Sequence, residues 1–177
     1  TVFAAPCLVR VQAEHPGITV ELVTSTSPLS LRGSGFDIAV TVGSATSSRL
    51  TAEALAPYAL RLYASRDYLA AHPPIVSLSD LERHPLVFYV DALLTVRELD
   101  LAPVLNGMHV GFGSTNVFAQ LEATRSGAGI GLLHAFMAES DPRLAPVLPD
   151  EVDFRLMFSL SVRKDSLGVD AVRVVRD

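Results

Sequence analysis

The sequence predicts an α/β fold built mainly on parallel sheet. Three observations carry this: helical and strand periods alternate along the chain, short Pro/Gly turns separate them, and FDIAVTVG at 36–43 is apolar on nearly every position. A strand covered on both faces needs that last pattern, and alternating β and α elements make parallel pairing the economical solution.

Taken in order, residues 2–14 place Phe3, Leu8 and Val11 at helical spacing before the breaker His15-Pro16-Gly17. Ile18, Val20 and Leu22 then alternate with Thr19 and Glu21, which reads as a strand. Ser27-Pro28 opens a short helix, because proline is pre-organised for a first turn. After the 36–43 strand come a strand at 58–64 and a short helix at 67–72 stopped by Pro73-Pro74. Ser79 and Glu82 have capping-box spacing within a helical turn at 77–83 that Pro85 cuts. Strands follow at 86–90 and 108–112. One of Ser114, Thr115 and Asn116 caps a helix running to Ser126, with Gly127 at its end. Strands at 130–133 and 154–162 and a helix at 169–176 complete the reading. No internal repeat, low-complexity tract or linker interrupts it.

Composition narrows the function. The 177 residues are 49% hydrophobic and 19% charged with mean hydropathy +0.36, enough to fill a core without disulfide or metal staples. The lone Cys7 excludes an internal disulfide, and its apolar neighbours predict a small buried side chain. A reducing cytoplasm suits this usage. No apolar run reaches the ~18 residues that span a bilayer, and the opening TVFAAPCLV lacks the basic start of a secretory signal. Net charge is −5, with 14 basic residues scattered among 19 acidic ones. Duplex DNA is gripped by clustered lysine and arginine, so these residues are not a DNA-binding surface.

No motif supports catalysis. GAGIG at 127–131 lacks dinucleotide-fingerprint spacing and follows a helix instead of a strand, so it reads as a helix C-cap leading into a tight strand entry. There is no Walker lysine and no G-x-S-x-G elbow. His15, His72, His84 and His109 flank turns or strand ends without ligand spacing, so no metal and no cofactor is expected. The chain is read as a binding module and not an enzyme.

Several segments together resemble the effector-binding domain of LysR-type transcriptional regulators. HPGITVELVTSTS resembles the family's first helix-to-strand passage, and FDIAVTVG its aspartate-led strand. LRLYASRDYLAAHPPIVSLSDLERHPLVFY resembles the long run from strand through a Tyr-Leu helix, an Asp-Leu helix and a histidine to the next strand. GFGSTNVFAQLEATRSGAGIGLLHAFMAESDPRLAPVLPDE resembles the stretch from effector loop through helix to glycine-flanked strand. The likeness covers nearly the whole chain in the family's order. His134 departs from it, since the family usually has proline there.

The resemblance implies two Rossmann-like lobes of the type II periplasmic-binding-protein kind, joined by crossover strands near Leu60 and Phe158. Residues 1–60 with 158–177 would form lobe I, its first strand missing, and residues 61–157 lobe II. It implies a cytoplasmic sensor that binds a small polar or anionic effector between the lobes. It also implies a homodimer or homotetramer, with the 2–14 helix of one subunit against the 115–126 helix of another and Val2, Phe3 and Val9 near the seam. DNA would be bound only through an N-terminal helix-turn-helix that these residues do not include, and no membrane is involved. A solute-binding protein of a transport system shares the lobed fold and is the rival reading.

Candidate ligand residues follow from helix N-termini, whose unpaired N–H groups favour anions at the carboxyl ends of strands. Three such places carry hydroxyls or amides: Thr1, Thr24 with Ser25, and Ser114, Thr115 and Asn116. Ordinary capping wants the same residue types, and that alternative stands. Thr41, on the strand entering Gly43, is a further candidate. Tyr89 and Asp91 follow their strand, with a core role for Tyr89 and a solvated one for Asp91 as alternatives. His134 either lines the site or packs structurally.

Overall fold

The computed structural model describes residues 3–24, 35–42, 47–90 and 107–177. In chain order its elements are α1 (Ala4–Glu14), β1 (Ile38–Val42), β2 (Leu50–Ser65), α2 (Arg66–Ala71), a 3-10 turn (Leu78–Arg83), β3 (Leu86–Phe88) and β4 (Val110–Gly113). There follow α3 (Val117–Arg125), β5 (Ile130–His134), α4 (Ala135–Ala138), β6 (Leu144–Val147), β7 (Asp153–Arg163), a second 3-10 turn (Lys164–Ser166) and α5 (Asp170–Arg176). The chain divides into two compact units: residues 1–55 with 159–177, and residues 56–158. Both passages between units fall inside long strands, β2 and β7. The short helix read at Ser27-Pro28, Gly43 and Asp91 lie outside the described residues.

The first unit has the strand order β1-β7-β2. Its core is Leu160, Val162 and Val172 with Ile38 packed against them. Arg163 N–H donates to the Asp37 carbonyl, and the Ser166 hydroxyl donates to the Asp37 carboxylate at 2.8 Å, which ties β1 to the chain after β7. Arg176 makes two hydrogen bonds to Glu53, at 3.0 and 3.1 Å, and so fastens α5 to β2.

Three expectations fail in this unit. Residues 18–24 form no strand, although the alternation survives as half-buried Ile18 and Val20 beside exposed Thr19 and Glu21. A strand needs a paired neighbour, and none of the described strands pairs with them. Val40 is exposed, so β1 is not covered on both faces. Cys7 is exposed as well. Ala4, Leu8 and Val11 form the half-buried stripe of α1, which turns Cys7 away, where its sulfur accepts from Arg10 at 3.4 Å.

The second unit holds most of the core. The distal half of β2 runs antiparallel to both β5 and β6, while β3 runs parallel to β4 and β5. The sheet is therefore mixed and not mainly parallel. Leu60, Leu62, Val87, Ile130 and Leu132 are essentially sealed from solvent. Pro146 is accommodated in β6 because β6 pairs only with β2 and can spare a donor. The capping arrangement at 77–83 is Ser77 with Asp80, not Ser79 with Glu82: the Asp80 carboxylate accepts from Val76 N–H, Ser77 N–H and the Ser77 hydroxyl. His84 is fully buried and bonded through Nδ1 to the Tyr68 hydroxyl at 2.8 Å.

Glycine 127 closes α3 at φ +82, the left-handed conformation of a helix C-cap. A Cβ on Gly129 would lie 2.1 Å from the Pro85 carbonyl oxygen, and one on Gly131 only 2.2 Å from Thr124 Oγ1. The glycines of GAGIG thus bring β5 against its neighbours. They form no phosphate cradle.

Candidate functional site

The candidate site is the edge of the second unit where β3, β4 and β5 end and α3 begins. Because β3 is parallel to both neighbours, with Phe88 beside Gly113 and Val87 beside Gly131, their carboxyl ends share one edge. Ser114 N–H donates to the Phe88 carbonyl at 3.0 Å, carrying the pairing into the loop. Ligands of parallel α/β sheets bind at such edges.

The 114–116 loop is organised by its own chain. The Ser114 hydroxyl accepts from Asn116 N–H at 3.1 Å, and the Ser114 carbonyl accepts from the Gln120 side chain at 2.6 Å. Asn116 Oδ1 accepts from the N–H groups of Phe118 and Ala119, making Asn116 the N-cap of α3. Gln120 is buried, and its carbonyl accepts from the Thr124 hydroxyl at 2.9 Å. Sequence reading missed Gln120. Its one signal is an amide four residues past the cap, on the helix face that also carries Leu121 and Thr124.

Several donors of this turn are left over among the described residues. The Thr115 hydroxyl and the N–H groups of Thr115 and Val117 have no hydrogen-bond partner among the described residues, nor has the exposed Asn116 side-chain NH₂. Thr115 is half-buried, and the N–H of Val117 stands at the positive end of the α3 dipole. Capping therefore accounts for Asn116 and for the Ser114 hydroxyl, whereas Thr115 is unspent.

Tyr89 follows β3 half-buried, with its ring edge-on to Phe88 at 5.4 Å, and burial pushes its phenol up, so it stays protonated. His134 ends β5 and stacks on Tyr58 at 5.2 Å, with Phe136 at 5.3 Å on a tilt. Tyr58 in turn stacks on Phe158 at 4.0 Å. Burial lowers the imidazole of His134 to about 4, so it is neutral at pH 7 and offers a hydrogen bond, not a charge. Tyr89, Ser114, Thr115, Asn116 and His134 thus all belong to the second unit, at the carboxyl ends of its strands or the loop that follows. Thr24, exposed, and Thr41, half-buried on β1, belong to the first. Thr1 and Ser25 lie outside the described residues. Among the described residues there is no metal-ligating cluster, and no helix is long and apolar enough to cross a membrane.

A sequence model of the LysR substrate binding domain matches residues 1–177, and the chain belongs to that family. No curated protein matches it. Among solved structures, it is similar to the regulatory domain of CrgA, a LysR-type transcriptional regulator from Neisseria meningitidis. That match has 26% identity and TM-score 0.83, covering 97% of this chain and 87% of that one. The fold also matches the effector domain of the transcriptional regulator AmpR of Pseudomonas aeruginosa, with 22% identity and TM-score 0.74 over 98% and 85% of the two chains. Full-length AphB, a virulence activator of Vibrio cholerae, aligns at 21% identity and TM-score 0.79 over 99% of this chain but only 62% of its own. The fold is thus of the type II periplasmic-binding-protein kind, in a LysR-family regulatory domain.

Proposed function

We propose that this LysR substrate-binding domain is the effector sensor of a cytoplasmic transcriptional regulator and holds a small polar or anionic metabolite at the first turn of α3. The observation that supports it is the set of donors left without a partner among the described residues, the Thr115 hydroxyl and the N–H groups of Thr115 and Val117, on a loop whose Ser114 hydroxyl and carbonyl and Asn116 carbonyl groups are already engaged. A carboxylate reaching them meets a pre-ordered turn and pays little ordering entropy. Tyr89 and His134, both uncharged at neutral pH, would bound the ligand with hydrogen bonds, and Ser114 and Asn116 hold the turn in place. Thr1, Thr24, Ser25 and Thr41 are the ligand candidates of the first unit.

Binding would be read out without chemistry on the ligand. Effector occupancy shifts the geometry of a homodimer or homotetramer by a coupling of ~1–3 kcal/mol, enough to tune promoter occupancy severalfold or more. The dimer seam would set α1 of one copy against the helix at 115–126 of another, which suits the exposed Phe3 and Val9 on α1 and the half-exposed Phe118 on α3. DNA contact would belong to an N-terminal domain of the regulator; this chain spans 62% of full-length AphB.

The test is a thermal-shift screen of small carboxylates, aromatic acids and amino acids, followed by Thr115→Val against any hit. Loss of one hydrogen bond to a charged ligand should weaken affinity about tenfold. Unchanged affinity places the effector elsewhere.

A further inference from the structure

We propose that the second unit carries another ligand site, a surface cavity at Arg66 that takes a small organic carboxylate. The cavity, about 320 Å³, is formed where β2, the start of α2, the end of α4 and β6 meet, and it shares no residue with the α3 edge. Its floor combines Tyr63 and Leu144 with a wall of Pro142, Pro146 and Pro149. Prolines give a rigid apolar surface that loses no rotamer freedom when a ligand packs on it.

The charge balance around the cavity decides the ligand. Arg61 and Arg155 are paired with Asp153, and Arg61 also with Glu139. Arg125 and Arg143 are paired with Asp141, and Arg125 also with Glu122. These groups cancel, four cations against four carboxylates. Arg66 is left over. Its Nε donates to the Pro142 carbonyl at 2.9 Å, an uncharged acceptor, which fixes the guanidinium plane while both terminal nitrogens have no partner among the described residues. Asp67, next in sequence, does not line the cavity.

An oriented guanidinium with two free NH₂ groups is matched by one carboxylate. The proline and leucine wall suits a short apolar body, and Glu139, exposed and adjoining, disfavours a dianion. The occupant is therefore a monocarboxylate of a few carbons, held by Arg66 and packed on the prolines. The cavity stands at the far end of the single-turn helix α4 from His134.

The experiment titrates the full chain with butyrate and with benzoate at constant ionic strength, reading amide and arginine side-chain NMR signals. Saturable shifts should appear at Arg66 and across 138–146 with a dissociation constant of about 1 mM. Arg66→Gln should weaken them about tenfold, and Glu139→Gln should strengthen them severalfold, since like charge is removed. Thr115→Val should leave them unmoved. Shifts confined to 114–120, or a titration that Arg66→Gln does not alter, would overturn the second site while leaving the effector reading intact. Loss of the 114–120 response in Thr115→Val with retained shifts at Arg66 supports both sites separately.

Discussion

Helices α1 and α3 are close in length, eleven and nine residues, and opposite in how they are used. Helix α3 buries Gln120, Leu121 and Thr124 and is held so closely that Gly131 has no room for a Cβ beside Thr124. Helix α1 buries no residue, and Phe3 and Val9 stand 61% and 64% exposed. The stronger amphipathic pattern thus belongs to the helix with the weaker seat. Hydrophobic patterning shows that a face wants cover, but it does not say whether that cover is the same unit or another molecule.

The sharpest way to break the contrast is to shorten one apolar side chain on each helix. Leu121→Ala removes a side chain packed with Tyr63, Leu133, Ala138 and Leu144 and should cost ~2–5 kcal/mol in denaturant unfolding. Val9→Ala should stay within about 0.5 kcal/mol for the monomer and instead lower the dimer fraction in sedimentation. A chain that sediments as a monomer at high micromolar concentration would remove the dimer seam from the proposal.

Next in size is acid sensitivity of the second unit. The His134 imidazole is held at about 4, below its ordinary 6.5, because burial opposes its charge. The unfolded chain therefore binds more protons between these values, so stability falls as pH drops from about 6.5 to 4 and changes no further from this group below that. The 2.5-unit gap corresponds to ~3 kcal/mol. His84 shifts in the same direction, chiefly by burial with the charges of His72 and Arg83 adding to it, and acts with the same sign. Thermal unfolding from pH 7 to 4 should show the loss, and His134→Gln should flatten the larger part of it. An unchanged slope in that variant would place His134 in a solvated setting.

The smallest effect concerns the α3 cap. Asn116→Ala removes the acceptor of Phe118 and Ala119 N–H and should cost ~1 kcal/mol, read by urea unfolding. It should also weaken any effector bound at Thr115, because the turn loses its order. A stability cost without an affinity cost would separate the cap from the site.

Much of this was legible because its causes are local. Asn116 before a helical stretch and Gly127 after it mark α3 by chemistry confined to a few residues, and the structure has both ends there. The order of helices and strands, and with it the LysR likeness, depends on such signals repeated along the chain. Strand β2 was read only from Tyr58 because its first eight residues are largely exposed and carry no periodicity of burial. Strand β6 hid behind Pro146, which is tolerable only at a position where no ladder donor is required.

By itself, then, the sequence determined the α/β class, both ends of α3, the net acidic composition and the hydroxyl-rich turn at 114–116. Tertiary structure decided which of those polar atoms are already engaged, since Ser114 and Asn116 are held within their own turn while Thr115 has no partner among the described residues. It likewise decided that Cys7 faces solvent, that His84 is sealed and that Arg66, beside its cavity, has no carboxylate partner among the described residues. The physical reason is common to all of these: burial and pairing depend on residues distant in sequence, and no local pattern records which neighbours the fold will supply.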